Sequence, residues 1–526
     1  MASIPRGKGN VYEFEGIRAK EPQYGTLSYT WGRWRLEDGP DVLPGLPIRN
    51  IPWRVPAVRE DHFTREAFQN VVRKIQKEGI DWAWIDVGCI DQRRSAENTQ
   101  AAIEIGRQVS IFKQAKACFV WLSRLETART VQAMGDIMEY GRRLSHYLTR
   151  PGKGIDLDDT MDRLRRSYDY FFGDPWFSSM WTLQEIILRN DALLLTAEAE
   201  PVLWHVQVVK GQRTYMTLFI NHCANVYMDL EEVAGQINPS GDPSARGKVH
   251  DDIERARQLI LQAGFTYLFG SNPNYLYGTA RHRSASQSED RIYAIMQIYD
   301  LCVGKSARPG EDPSLEELVT EFAGAINRRS AILGQCFIHT TEPKTGFTWR
   351  MTDQLAIPNV FRFLPSQPDL ATIELDRDGN CVAAGKCCRL PTLVLAFAED
   401  RRSRVASRTS QGYEIGLVLD SHIDGFVSFD EPSPSYEFRR RDSNTIMDCE
   451  KVRVLWLGDG TKLDKPGSGP IHLGLLLSEL CRDTQNGRAD TGYERLGLVQ
   501  WSAGEGLPSE YLNNISWETH DRLVLR

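Results

Sequence analysis

Along the first 200 residues the chain switches repeatedly between two hydrophobic periods. Short apolar runs of strand length alternate with segments whose apolar residues recur every three or four positions. "GTLSYTWG" (25–32) reads as a strand, and Thr64 to Gly79 has helical spacing in Phe68, Val71, Val72 and Ile75 before a glycine stop. "DWAWIDVGCI" is a mostly apolar run of the length of a buried parallel strand, and "AENTQAAIEIGRQVSIFKQA" reads as one long helix. "KACFVWLS" is a further strand, residues 174–191 hold a turn and a helix, and "ALLLTAE" is a strand again. This alternation predicts an α/β region: a parallel sheet with flanking helices. From about Val206 to Gln335 the pattern is mostly helical and polar. After Gln335, β-branched and aromatic runs such as "KVRVLWLG" and "DRLVLR" are separated by Gly, Pro and Asp, which predicts a β-rich or mixed C-terminal region. Three regions follow, 20–205, 206–335 and 336–526, with Asn238 to Ser244 as a linker candidate.

Composition narrows the function classes. The chain has 526 residues and a net charge of −7, which argues against a nucleic-acid binder with a broad basic surface. The basic runs at Arg401 to Arg404 and Arg439 to Arg441 are short and lie beside acids, as solvated faces do. No apolar run reaches the length of a membrane span, and "MASIPRGKGN" lacks the apolar core of a signal peptide. The ten cysteines are scattered without a CxxC pair, so a reducing, cytoplasmic setting is expected.

Three clusters can carry chemistry. The strand in "YGTLSYTWG" runs into Ser28, Tyr29, Thr30 and Trp31, and strand ends in α/β sheets form the floor of ligand crevices. "WIDVGCIDQ" places Asp86, Cys89, Asp91 and Gln92 at a second such end. Cys89 has no histidine near it in sequence to activate it, so packing as a small apolar residue is the simpler reading. Asp86 and Asp91 are two carboxylates with no further ligand cluster, and no metal is expected. In "WFSSMWTLQEIIL", Trp181 and Glu185 stand four residues apart and share a helix face. Spacing alone leaves Glu185 open between a structural role and a place in a cleft, with the indole as a stacking platform.

Taken together and in order, "SYTWG", "WIDVGCIDQ" and "WTLQE" resemble the HET (heterokaryon incompatibility) domain of filamentous fungi. The resemblance runs through Leu27 to Gly32, Trp84 to Gln92, Ile111 to Ala115, Val120 to Ser123 and Trp176 to Glu185, and Ser288 to Ile298 looks like a stretch that often follows the domain. It covers about residues 20–205. It implies a TIR-like, flavodoxin-like parallel sheet and places Glu185 at the position of the TIR glutamate that acts in NAD cleavage. The ring of Tyr29, Trp31 or Trp181 would then stack on the ligand, and Ser28 and Thr30 would hydrogen-bond it. The chain departs from the family pattern where Ser178, Ser179 and Met180 replace a usual arginine, and at Phe112 and Ser123. A missing guanidinium fork weighs against a phosphate-bearing ligand.

Three readings follow. The first is an effector of fungal nonself recognition and cell death, with NAD as substrate and self-association as a means of activation. The second is a cofactor-independent small-molecule enzyme, performing a cyclisation or Diels-Alder-type cycloaddition in secondary metabolism with the same crevice. The third is a non-catalytic interaction protein.

Overall fold

The computed structural model describes residues 11–14, 17–20, 23–30, 63–90, 99–150, 154–206, 209–236, 243–266, 273–285, 287–357, 363–365, 368–396, 414–420, 427–428, 437–439, 446–448, 451–462, 471–482, 490–502 and 515–526. Arg401 to Arg404, Arg440, Arg441 and the stretch 237–242 lie outside these residues, and a helix already begins at Pro243. The chain divides into two compact units: Met1–Leu268 with His282–Pro313, and Phe269–Arg281 with Ser314–Arg526.

The first unit opens with an antiparallel hairpin, β1 (Val11–Phe14) and β2 (Ile17–Lys20). Then come β3 (Tyr24–Ser28), α1 (Arg65–Lys77), β4 (Trp82–Trp84), α2 (Asp86–Cys89), α3 (Thr99–Gly106), α4 (Gln108–Gln114), β5 (Ala117–Trp121), α5 (Thr127–Thr149), α6 (Leu157–Phe172), α7 (Met180–Leu188) and β6 (Leu193–Leu195). The sheet is parallel with order β4-β3-β5-β6, so the expected α/β region is present. Because β4 pairs on one side of β3 and the chain then crosses to pair β5 on the other, the order reverses between β3 and β5, where doubly wound sheets open their crevice. Every residue of β3 is buried, which is why its sequence reads as a continuous strand rather than an alternating one. Gly25 permits the close approach: a Cβ there would meet Ile80 Cγ2 at 3.1 Å and the Ala117 carbonyl oxygen at 3.3 Å.

Alternation sorts the strand residues between two faces. Leu27, Tyr29, Phe119 and Trp121 pack with Phe68, Val71 and Ile75 of α1. The hydroxyl of Thr64 caps α1 by accepting from the Ala67 amide at 3.1 Å, and Gly79 ends the turn at φ +77°. Two expectations shift. "DWAWIDVGCI" is a strand only over β4, after which Asp86 to Cys89 turn into one helical turn, so Asp86 and Cys89 sit on α2 rather than on a strand. The long helix of residues 96–115 is broken at Arg107 into α3 and α4. The helical middle continues this unit with Met216–Gln236 and Pro243–Ala263, which pack with α5 and α6.

The second unit is dominated by an antiparallel β-rich sheet, as the pattern after Gln335 predicts. β7 (Cys381–Arg389), β8 (Val452–Lys462), β9 (Ile471–Arg482), β10 (Asp490–Ser502) and β11 (Glu518–Leu525) pair in that order, and β11 returns to β7, closing the ring. The closing contact between β10 and β11 is a single parallel pair, Tyr493 with Leu525. At its base Arg495 is fully buried and donates to Asp420 Oδ2 at 3.0 Å, to the Gln335 carbonyl at 3.1 Å and to Gln335 Oε1 at 3.0 Å, with its guanidinium 3.9 Å from the Phe337 ring centroid. Removing one member of such a pair strands the other charge in the interior. Arg495→Met should therefore cost about 3–5 kcal/mol of stability in chemical denaturation. Arg495→Met combined with Asp420→Leu should recover part of it; a double variant no better than the single would show that the pair's charges are not what matters.

Candidate functional site at the end of the parallel sheet

The register of β3 against β4 and β5 sets the floor of the site. Thr26 pairs with Trp84 and Ser28 with Val120, so Ser28 emerges at the strand end on the face opposite Leu27 and Phe119. Its hydroxyl accepts from Trp176 Nε1 at 2.7 Å and donates to Glu185 Oε2. Trp176 comes from a 3₁₀ turn, Pro175–Ser178, which Asp174 starts by accepting from the Trp176 amide at 2.9 Å. A second arm reaches the other carboxylate oxygen: Gln108 Nε2 donates to Glu185 Oε1 at 3.4 Å, and Gln184 Nε2 donates to Gln108 Oε1 at 3.3 Å. Strand, turn and two helices thus converge on one carboxyl group.

Burial pushes the Glu185 carboxyl up to about 8, the Ser28 hydrogen bond opposes this, and the nearby Asp86 carboxylate adds to it. At neutral pH most of Glu185 is therefore protonated. Among the described residues no cation pairs with it. The Tyr29 phenol is raised above its usual range, first by burial, then by Asp86, Glu185 and Cys89, which places all four residues around one spot. Its hydroxyl is buried beside the Asp86 side chain, whose hydrogen bond to it adds to the rise, while the buried Thr30 hydroxyl has no hydrogen-bond partner among the described residues. The Tyr29 ring is occupied by its neighbours, with centroids 6.1 Å from Phe63, 5.8 Å from Phe68 and 6.4 Å from Trp121.

Asp86 accepts from the Val87 amide at 2.6 Å, and burial raises the Cys89 thiol to about 12, which keeps it from acting as a thiolate. Trp181, one turn before Glu185 on α7, is partly exposed, and its indole hydrogen-bonds Asp290, whose carboxyl burial raises to about 6. Trp31, Asp91 and Gln92 lie outside the described residues. Among the described residues no group of three or more His, Cys, Asp or Glu could hold a metal ion, and no helix is long and apolar enough to cross a membrane. The eight cysteines described individually are free thiols.

The start of α7 is fixed from a distant part of the chain. Ser179 precedes α7 without a side-chain cap; instead the Met180 amide donates to the Ser284 carbonyl at 3.1 Å, and the Ser284 amide donates to the Ser178 carbonyl at 2.9 Å. Arg283, fully buried, donates from Nη1 to the Ser179 carbonyl at 3.0 Å, the Trp176 carbonyl at 3.3 Å and Thr182 Oγ1 at 3.0 Å, and from Nη2 to the Ala263 carbonyl at 2.8 Å. Burial alone lowers its guanidinium to about 9, with no carboxylate among the described residues paired to it. A guanidinium thus reaches the start of this helix after all, from "RHRSAS" rather than from the segment before Trp181, and it is committed to backbone carbonyls.

Ser28, Glu185, Tyr29, Asp86 and Cys89 are brought together, and Trp181 and Thr30 stand beside them. Sequence reasoning assigned no role to Gln108 or Arg283, since a glutamine or arginine in a helical pattern carries no signature. Trp176 and Asp290 did lie in stretches that stood out, which was the available signal. No curated protein and no solved structure matches the chain. Residues 24–185 match the family described as Heterokaryon incompatibility protein (HET), so the segment carrying both Ser28 and Glu185 is a HET region.

Proposed function

We propose that the protein is an effector of the heterokaryon incompatibility type, and that its HET region hydrolyses NAD with Glu185 as the catalytic carboxyl. The observation that carries this reading is the condition of Glu185: desolvated, held from both sides by neutral donors, and without a cation. Such a group is stabilised in its charged form when a cation enters. The pyridinium of NAD is one, and the ribosyl oxocarbenium that develops as nicotinamide leaves is another. When the C–N bond to the ribose breaks, its electron pair leaves with nicotinamide, and water adds to the ribose carbon and loses a proton. Ser28 and Gln108 would hold the carboxylate in place, while the unpartnered hydroxyl of Thr30 suits the ribose. The TIR-type parallel and activation by self-association belong to this proposal.

One observation favours the second reading. Four donor contacts of Arg283 go to carbonyls and a threonine hydroxyl, so this guanidinium offers no fork to a phosphate. That suits a phosphate-free ligand and a cofactor-independent cyclisation shaped by aromatic walls.

Nicotinamide release from NAD by the purified full-length protein at high concentration separates them. Wild type should release it and Glu185→Gln, which keeps the packing, should be slower by about 100-fold or more. Release that persists in Glu185→Gln removes the glutamate from the chemistry. Absence of release from both shifts the reading to the small-molecule enzyme or to a non-catalytic role.

The raised carboxyl also predicts a pH signature. Between the ordinary glutamate value of 4.5 and about 8, the folded protein holds a proton that the unfolded chain has released. Stability from this group is thus full below the lower value and lost as pH rises to the upper one. Glu185→Gln removes the term, so its melting temperature relative to wild type should rise from pH 4.5 to 8.5. A difference that is flat with pH would mean that Glu185 is not desolvated.

A further inference from the structure

We infer that Gln297, far outside the family match, is a positioning residue of the Glu185 site and acts through Gln108; its link to catalysis rests on the reading of Glu185 as the reactive carboxyl. Gln297 lies in the 3₁₀ turn Met296–Tyr299 and is 4% exposed. Its Oε1 accepts from the Val109 amide at 2.9 Å, and its Nε2 donates to the Ile105 carbonyl. Those two backbone groups flank the break between α3 and α4. The Val109 amide is one of the first-turn donors that a helix leaves unsatisfied, and the Ile105 carbonyl is one of the last-turn acceptors. A primary amide carries one donor end and one acceptor end, so a single glutamine satisfies both and sets the angle at which α4 departs.

Gln108 stands between these two anchored positions, and it is the residue that reaches α7. Its contacts, 3.4 Å to Glu185 and 3.3 Å from Gln184, are at the long end of hydrogen bonding. A small rotation of α4 breaks them, whereas shorter bonds would survive it. The break at Arg107 is therefore a built joint rather than an irregularity. Gln297 locks it from outside the segment that carries Ser28 and Glu185.

Three full-length variants test this: Gln297→Met, Gln108→Met and the double substitution. Each single variant should lower nicotinamide release about tenfold, the scale of one lost positioning hydrogen bond. The double variant should be no slower than Gln108→Met, because both act along one path. The readout that a merely structural role would not move is the titration of Glu185, followed by the infrared carboxyl band that Glu185→Gln removes. Loss of a donor to the carboxylate should shift it upward in all three variants. Should Gln297→Met fail to fold, Gln297→Glu keeps the acceptor for Val109 but, when ionised, has no donor for Ile105, and it should show the same shift. Additive losses, or an unmoved titration in a folded Gln297 variant, would overturn the proposal. If wild type releases no nicotinamide, the NAD reading fails, while the titration still decides the positioning claim.

Discussion

Supplying donors to a partly buried carboxyl group at the end of a parallel sheet is the demand that organises the first unit. An ionised carboxylate in such a place is costly unless donors reach it, and the Glu185 donors come from two separate elements, β3 and α4. Ser28 donates to Glu185 while its oxygen accepts from Trp176, which the 3₁₀ turn before α7 brings within reach. The strand order places Ser28 where β3 and β5 part, and the break in the α3–α4 segment aims Gln108 from the opposite side. Each of these local features is unremarkable by itself; their convergence on two oxygens is what makes the place chemically distinct.

The sheet and its flanking helices were legible because burial on both faces writes a strand as a continuous apolar run, and "KACFVWLS" and "ALLLTAE" could hardly be read otherwise. Ser28 and Glu185 were legible as a pair only through the order of their motifs, since 157 residues separate them and neither has a local signature of contact. What escaped was whatever depends on one side chain terminating or joining helices. The break at Arg107 is invisible to periodicity, because the apolar spacing continues across it. The helical turn at Asp86 was masked by the apolar character of "DWAWIDVGCI", which suits a buried helical turn as well as a strand. Arg283 could not be assigned because its partners are carbonyl oxygens, which every sequence supplies equally.

Arg283 and Arg495, both fully buried, show how differently the units treat an interior charge. Arg495 is matched by Asp420, and the second unit gains a fixed, directional contact where its ring of strands meets residues 335–337. Arg283 has backbone dipoles and one hydroxyl instead of a carboxylate, an arrangement that leaves net positive character beside the first turn of α7. Helix starts already carry partial positive charge. The two effects add in the neighbourhood of the helix whose later turn bears Glu185.

The first unit is not contiguous: its residues 282–313 arrive only after 269–281 have gone to the second unit. A ribosome therefore completes the family-matched segment well before Arg283 exists to hold the start of α7. At roughly 5–20 residues per second, that interval is on the order of ten seconds. During it Glu185 has its strand and its helix but not the clamp on that helix. The nascent chain thus carries Glu185 in an unfinished setting, and its surroundings are completed only once more than half of the 526 residues have been made.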